Sequence, residues 1–518
     1  MTRTFPISGL VAIFLLASAA SAGELTFVDH MTELGLADPG YAWHAYHDAI
    51  VCADWDSDGD VDVLVVVSLH EKGPLGSQGR MYVNLLKETG KLAFEDRTEK
   101  LIPDGTQTKI IADGAPVFFD VDSDGDLDLC VVSDEHAPLT FINDRGTFRL
   151  KTWGFSAQSL TVRDLDGDGD LDVVGNDTGW QYTNEGSGVF KRSKSEGFLC
   201  GHMPRDKVLP TPEGIRVDDE VKTKAAEKGH VYYSWKHVDV TGDGREDYYL
   251  ALSQAYGFKV ARFYAREGAG WRDVTAETGL PTDALVRFVD LTGDGRLDAV
   301  ATSKETGGVF LGDGKGHFGR AHPSGADKIF RNTIGGCYTV PQKIVDLDGD
   351  GITDIVTVQP RVGVGSTVLH GQRHGRFELT LKTNATSGQA VADLNNDGLL
   401  DVVASGALRS TGIHVWLNET KDPGHWLVVT LKGPGANPFA VNAVVEAWLP
   451  GKVGVADARL ARAQAAADGL PVHLGLGRLD TVDLRVTLES GQVTTLRNVR
   501  SGRVVAVDAS SAGRAARR

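Results

Sequence analysis

Asp54-Trp55-Asp56-Ser57-Asp58-Gly59-Asp60-Val61-Asp62 is a nine-residue pattern that returns six more times in a chain of 518 residues. Acids at positions 1, 3, 5 and 9, with a Gly at 6 for a sharp turn, place side-chain oxygens around one point, as a hard, oxygen-seeking cation such as Ca²⁺ requires. Four copies keep that character: Asp120, Asp122, Asp124, Gly125, Asp128; Asp164, Asp166, Asp168, Gly169, Asp172; Asp346, Asp348, Asp350, Gly351, Asp354; and Asp393, Asn395, Asp397, Gly398, Asp401. Two are thinner and carry a hydroxyl at position 3: Asp239, Thr241, Asp243, Gly244, Asp247 and Asp290, Thr292, Asp294, Gly295, Asp298. One such loop would pass for an ordinary polar turn. Seven in register crowd like charges unless a cation joins them, so several Ca²⁺, up to seven, are expected. The loops are not EF-hands, because position 12 is Val65 or Val131 where that motif needs a bidentate Glu.

Each loop runs into a short, β-branched, apolar stretch such as Leu64-Val65-Val66-Val67 or Leu129-Cys130-Val131-Val132, which reads as buried strand. A further apolar run ending in Asn follows, as in Met81–Asn84, Thr140–Asn143 and Ile413–Asn418, and then a strand with an aromatic residue before an acid, as in Phe94-Glu95-Asp96. A four-stranded unit repeated at spacings of 66, 44, 75, 51, 56 and 47 residues predicts an all-β fold built as a seven-bladed β-propeller. The last copy lacks its own aromatic-acid strand and a spare one, Leu25–Asp29, sits near the N-terminus, so that segment is expected to complete the seventh blade.

These repeats resemble the FG-GAP/VCBS-type repeats of integrin-α-like propellers and of many exported bacterial proteins, over roughly Leu25 to Asn418. The resemblance implies a propeller with Ca²⁺ held in blade hairpin loops, where the ion is structural. From His425 the texture changes to a small all-β segment with runs at Val444–Trp448, Val472–Gly477, Val482–Thr487 and Val504–Val507. His425-Trp426-Leu427, Asn437, Ala440 to Ala443, His473-Leu474-Gly475-Leu476-Gly477 and Ser490-Gly491 resemble an ASPIC/UnbV domain, which follows such propellers in proteins similar to cartilage acidic protein. Two departures from that family's pattern stand out. Leu488-Glu489 replaces Trp-Pro, and Asn442 replaces a Gly before Ala443, where Asn tolerates φ > 0 better than most residues.

Met1 to Ala22 reads as a secretory signal, with Arg3, an apolar Leu10–Ala17 and the small-residue site Ala20-Ser21-Ala22, so cleavage is expected after Ala22. The expected organisation is signal peptide 1–22, propeller 23–421, ASPIC/UnbV-like domain 422–508 and a flexible tail 509–518, in a secreted or periplasmic protein. No later segment approaches the ~20 apolar residues of a membrane span. The formal charge of −17 argues against nucleic acid, although seven Ca²⁺ would carry +14 and leave −3. Cys52 and Cys130 fall in blade strands as buried thiols, while Cys200 and Cys337 are better placed for a bridge.

The leading functional reading is a calcium-binding module for adhesion or scaffolding, with an extracellular protein or glycan as partner and no catalytic residues assigned. The alternative is an extracellular carbohydrate-active enzyme, of lyase or dehydratase type, with His44, His47 and His202 or His237 converging on the central depression. The longest connection, Lys191 to Lys236, is the chief insertion, and its charged part from Glu213 to Lys228 allows a short helix.

Overall fold

The computed structural model describes residues 24–510 apart from 32, 37–48, 67–78, 107–115, 132–138, 152–153, 156–159, 176–179, 195–207, 212–213, 218–230, 244, 246, 255–257, 269, 304, 322–324, 326, 332–341, 360–364, 383–388, 406–412 and 456–457. Seven four-stranded antiparallel sheets follow one another along the chain. Blade 1 is Ala49–Ala53, Asp62–Val66, Arg80–Asn84 and Phe94–Asp96, and blades 2 to 6 repeat that meander, beginning at Val117–Phe119, Leu160–Arg163, Val231–Val238, Leu285–Val289 and Gln342–Val345. Blade 7 takes three strands from the end of the repeats, Gln389–Ala392, Asp401–Ser405 and Ile413–Asn418, and its fourth from Phe27–Asp29. That closure pairs Phe27 with Asn418 and Asp29 with Trp416, and His414 Nδ1 meets Asp29 Oδ2 at 2.8 Å. The expected use of the N-terminal strand is therefore realised.

Strand propensity alone does not hold such a ring together, because each blade has two faces to bury. The hydrophobic clusters span neighbouring blades. Ile50, Cys52, Val63 and Val65 of blade 1 share a core with Ala390, Ala392, Val403, Ile413 and Val415 of blade 7. Trp55 of blade 1 stacks on Phe118 of blade 2, centroids 5.3 Å apart. Cys52 and Cys130 are buried free thiols, and burial pushes Cys52 up to about 12. Cys200, Cys337, His44, His47, His202 and the signal segment 1–22 lie outside the described residues, and of His237 only the backbone, in Val231–Val238, is described.

The connection between blades 3 and 4 holds a hairpin, Val208–Thr211 with Gly214–Val217. The helix-compatible stretch thus begins as strand, where Ile215 and Val217 supply β-branched residues two apart. The C-terminal segment forms two sheets on one core. One is Val472–Gly475, Trp426–Lys432 and Arg503–Asp508; the other is Arg459–Gln464, Val444–Trp448, Thr481–Thr487 and Val493–Arg500. Two of these strands were not foreseen, because Arg-Leu-Ala-Arg-Ala-Gln and Val-Thr-Thr-Leu-Arg-Asn-Val-Arg lack a continuous apolar run.

Candidate metal centres and the face that carries them

All seven acidic loops join the first and second strands of their blades, so antiparallel topology puts them at one end of the ring. Asp recurs in them because a short carboxylate reaches backbone N–H groups a few residues on. The position 1 carboxylate is the hub. Asp54 Oδ1 accepts from Asp58 N at 3.1 Å and Oδ2 from Gly59 N at 3.0 Å, and Asp120, Asp290 and Asp393 repeat that pair of bonds. Gly at position 6 takes φ between +85° and +99° in the six loops where it is described. A second left-handed residue, at position 4, was not read from the sequence: Ser57, Ser123 and Asn396 stand there at φ 59°, 63° and 56°.

The ninth Asp holds the loop to its own blade. Asp128 Oδ1 accepts from Asn143 N at 2.7 Å and Oδ2 from Val121 N at 2.8 Å, and Asp172, Asp298, Asp354 and Asp401 make the equivalent pairs, while Asp247 accepts from Arg266 N and, one position later in its loop, from Thr241 N. The Asn that ends the third strand then links blades. Asn143 Nδ2 donates to Leu127 O of its own loop at 3.1 Å and to Trp55 O of blade 1 at 2.8 Å. Asn84, Asn184 and Asn418 do the same toward Leu394, Val121 and Leu347 of the preceding blades. Replacing Asn143 with Ala leaves buried carbonyls without a donor and opens a cavity. We expect a loss of about 2–4 kcal/mol in denaturant unfolding; a change below ~0.5 kcal/mol would show that the link is not structural.

What remains over after these bonds is oxygen aimed inward. Asp54, Asp56 and Asp58 bring ligand-capable atoms within 4.8 Å of one another, as do Asp120, Asp122 and Asp128, and Asp164, Asp166 and Asp172. At position 3, Asp56 Oδ1, Asp122 Oδ1 and Thr292 Oγ1 are buried without a hydrogen-bond partner, and so is Asp62 Oδ2 at position 9 of the first loop. Burial and then neighbouring acids drive Asp54 up to about 6 and Asp62 to about 9; burial is also the main cause in Asp128, at about 8. Burial, with Asp350 and Asp348 nearby, likewise holds Asp346 well above the usual range. Buried oxygens with no donor, among carboxylates that resist ionisation, fit a bound divalent cation, and an all-oxygen donor set suits a hard one.

The two thinner loops differ. Position 7 is Arg245 in blade 4 and Arg296 in blade 5, and each guanidinium pairs with the position 5 acid of its own loop, Asp243 or Asp294. Arg459 of the C-terminal segment adds a cation 3.6 Å from Asp290. Asp60, at position 7 of the first loop, was passed over as a ligand, and two further ligand-capable residues outside the loops were missed. Glu88, on the short helix Leu86–Thr89, joins Asp58 and Asp60, and His370, on the strand Gly365–Gln372, joins Asp348 and Asp350. Both lie well downstream of their loops, so no local spacing signals them.

The C-terminal sheets sit on this same end of the ring. Gly424 N donates to Asp348 O at 2.7 Å and Gly477 N to Gly349 O at 2.9 Å, while Arg459 Nη2 donates to Gly295 O at 3.1 Å. At blade 3, Asn442 is at φ 67° and donates to Val162 O at 2.9 Å and to Glu489, which accepts from Asp164 N and pairs with Arg163 at 3.0 Å. Both departures from the family pattern, Asn442 and Glu489, therefore meet in one contact with the propeller. Gly475 lies so close to blade 6 that a Cβ there would fall 1.5 Å from Asp346 Oδ2. Gly475→Ala is expected to cost about 1–3 kcal/mol or more, from forced separation at this contact. Calorimetry of the full chain checks it, and an unchanged unfolding profile would mean that the contact is dispensable.

Fold and loops together define a repeat β-propeller whose acidic hairpin end carries a small β domain. The FG-GAP-like repeat family matches residues 54–131, 120–175, 290–357 and 346–404, and the ASPIC and UnbV family matches 433–514. The chain is thus a protein of FG-GAP-like repeats that ends in an ASPIC and UnbV domain. No curated protein sequence matches it. Among solved structures it is similar to an Agrocybe aegerita lectin described as recognising non-reducing terminal N-acetylglucosamine, at 17% identity over 78% of this chain and 92% of that one, TM-score 0.40. It is also similar to the Photorhabdus luminescens Tc holotoxin pore (14% identity, 92% of this chain, 21% of that one, TM-score 0.35). A third is the V. cholerae biofilm matrix protein Bap1 (13% identity, 93% and 71%, TM-score 0.27). Among the described residues no helix is long and apolar enough to cross a membrane.

Proposed function

We propose that this chain is an exported calcium-binding propeller that serves as a binding, adhesion or scaffolding module for an extracellular protein or glycan. One divalent cation sits in each acid-rich loop, calcium in those of blades 1, 2, 3 and 7 and calcium or another divalent metal in that of blade 6, and fixes the hairpin end of the ring. The observation that carries this reading is the pair of buried position 3 carboxylate oxygens that lack any donor, Asp56 Oδ1 and Asp122 Oδ1. In blades 4 and 5, Arg245 and Arg296 already supply a positive charge, so these loops bind calcium weakly or not at all.

The C-terminal domain occupies the end that carries the ions. The opposite end, where the chain passes from blade to blade and where the hairpin Val208–Thr211 with Gly214–Val217 is inserted, is the surface left for a partner. Calcium titration of the chelator-stripped mature protein by calorimetry tests the reading. Several equivalents are expected, with dissociation constants at or below ~10⁻³ M, the range of extracellular sites. Heat of dilution alone, with no saturable binding at millimolar Ca²⁺, would overturn it.

A further inference from the structure

The sixth loop is not like the others. In every blade, one residue precedes the third-strand amide that donates to the ninth Asp. Read from those bonds it is Val83, Ile142, Thr183, Ala265, Leu311, His370 and Leu417 in blades 1 to 7. Only blade 6 places an imidazole there, and it turns toward the loop. His370 Nε2 lies 3.0 Å from Asp348 Oδ2, and a ligand atom of Asp350 lies within 4.8 Å of both residues' ligand atoms.

The contact is close but misaligned. Asp348 is wholly buried, its Oδ1 accepts from Asp350 N at 3.1 Å, and neither its Oδ2 nor His370 Nε2 makes a hydrogen bond of acceptable geometry. Two unpartnered atoms 3.0 Å apart, with half-buried Asp346 and buried Asp354 in the same loop, form a mixed nitrogen and oxygen ligand set. Arg478, whose charge reaches Asp348, pairs instead with Asp422 at 3.0 Å, and the Arg373 charge acts on Asp350. Calcium takes oxygen ligands, whereas imidazole with carboxylates suits divalent first-row transition metals.

We propose that the sixth loop is a transition-metal site, with His370, Asp348, Asp350, Asp346 and Asp354 as its donors, distinct from the calcium loops of blades 1, 2, 3 and 7. The proposal rests on the acid-rich loops being cation sites, but not on calcium filling the rest. Because Gly424 and Gly477 bond to the backbone of this same loop, the ion sits under the C-terminal domain and is shielded from exchange.

Mn²⁺ is the probe. The full mature chain is stripped with chelator, equilibrated with millimolar Ca²⁺ and a small excess of Mn²⁺, desalted, and measured by elemental analysis and pulsed electron paramagnetic resonance. The expected result is one retained equivalent of Mn²⁺ whose spectrum carries ¹⁴N modulation from a bound imidazole. His370→Leu, which installs the residue found at the same place in blades 5 and 7, is expected to lose both the Mn²⁺ and the nitrogen signal while keeping its calcium. Should His370→Leu fail to fold, His370→Gln reads the same nitrogen signal. Manganese displaced by calcium, manganese without nitrogen modulation, or equal retention by wild type and variant would each overturn the proposal and leave a plain imidazolium–carboxylate pair. A chain that holds the one manganese but no calcium would instead overturn the calcium reading and leave this one standing.

Discussion

Stripped of divalent cations, the protein is expected to melt at least about 10 °C below its calcium-loaded form, with Mg²⁺ restoring only part of the difference. Ligand that binds the folded state alone stabilises it by RT ln(1 + [L]/Kd), about 2.7 kcal/mol per site at a hundredfold excess over Kd. With an unfolding entropy of ~2.1 cal/mol/K per residue, a chain of this size shifts by about 1 °C for each kcal/mol, so several loops acting on one ring are needed to reach that figure. Magnesium falls short because it demands octahedral geometry at 2.0–2.1 Å and gives up its water reluctantly. The loops also make a comparison within the molecule. Asp122→Ala removes a position 3 ligand and should reduce the calcium-dependent gain by one site's share, about 2–3 kcal/mol. Asp243→Ala, whose carboxylate is engaged by Arg245, should leave that gain unchanged within ~0.5 kcal/mol. Thermal melts with excess chelator and then added Ca²⁺ decide the matter; coincident midpoints would mean that the loops close without ions.

Much of this arrangement was legible in the chain because it is periodic. Register fixed by Asp-x-Asp-x-Asp-Gly gave the loop, the β-branched run after it gave the second strand, and a missing strand in the last repeat pointed to Phe27–Asp29. The terminal Asn of the third strand was visible as a recurrence, but its work was not, since the bond from Asn143 to Trp55 O spans 88 residues. His370 was invisible for the same reason, as was Glu88: a side chain from another strand or turn joins the loop only once the sheet is paired. The ninth Asp was read purely as an ion ligand, and the structure gives it a second task, accepting two backbone amides in six of the seven loops. The C-terminal domain's seat was unreadable too, because contacts such as Gly475 against Asp346 depend on shape and leave no periodic trace.

The second large effect is a reversal of pH dependence between the ion-free and ion-loaded protein. Without ions, burial and neighbouring acids hold Asp54 at about 6 and Asp62 at about 9, and burial first of all puts Asp120 and Asp393 at about 6 and Asp128 at about 8. Unfolding returns them to the usual carboxylate value near ~4. Between those limits the folded state carries more protons than the unfolded one, so stability falls as pH rises. This contribution is fully present below pH ~4 and is lost as pH passes through about 6 for Asp54 and onward to about 9 for Asp62. A bound cation inverts the balance, because it stabilises the ionised carboxylates and must compete with protons on acidification. The chelated protein is therefore expected to melt higher at pH 5 than at pH 8, the calcium-loaded protein to hold or gain stability over the same interval, and the gap between them to widen steadily with pH. Melts at paired pH values with and without calcium read this directly. If the ion-free midpoint rose from pH 5 to pH 8, the buried acids would have to be neutralised by something other than protons, and the loops would be held together by the protein's own cations.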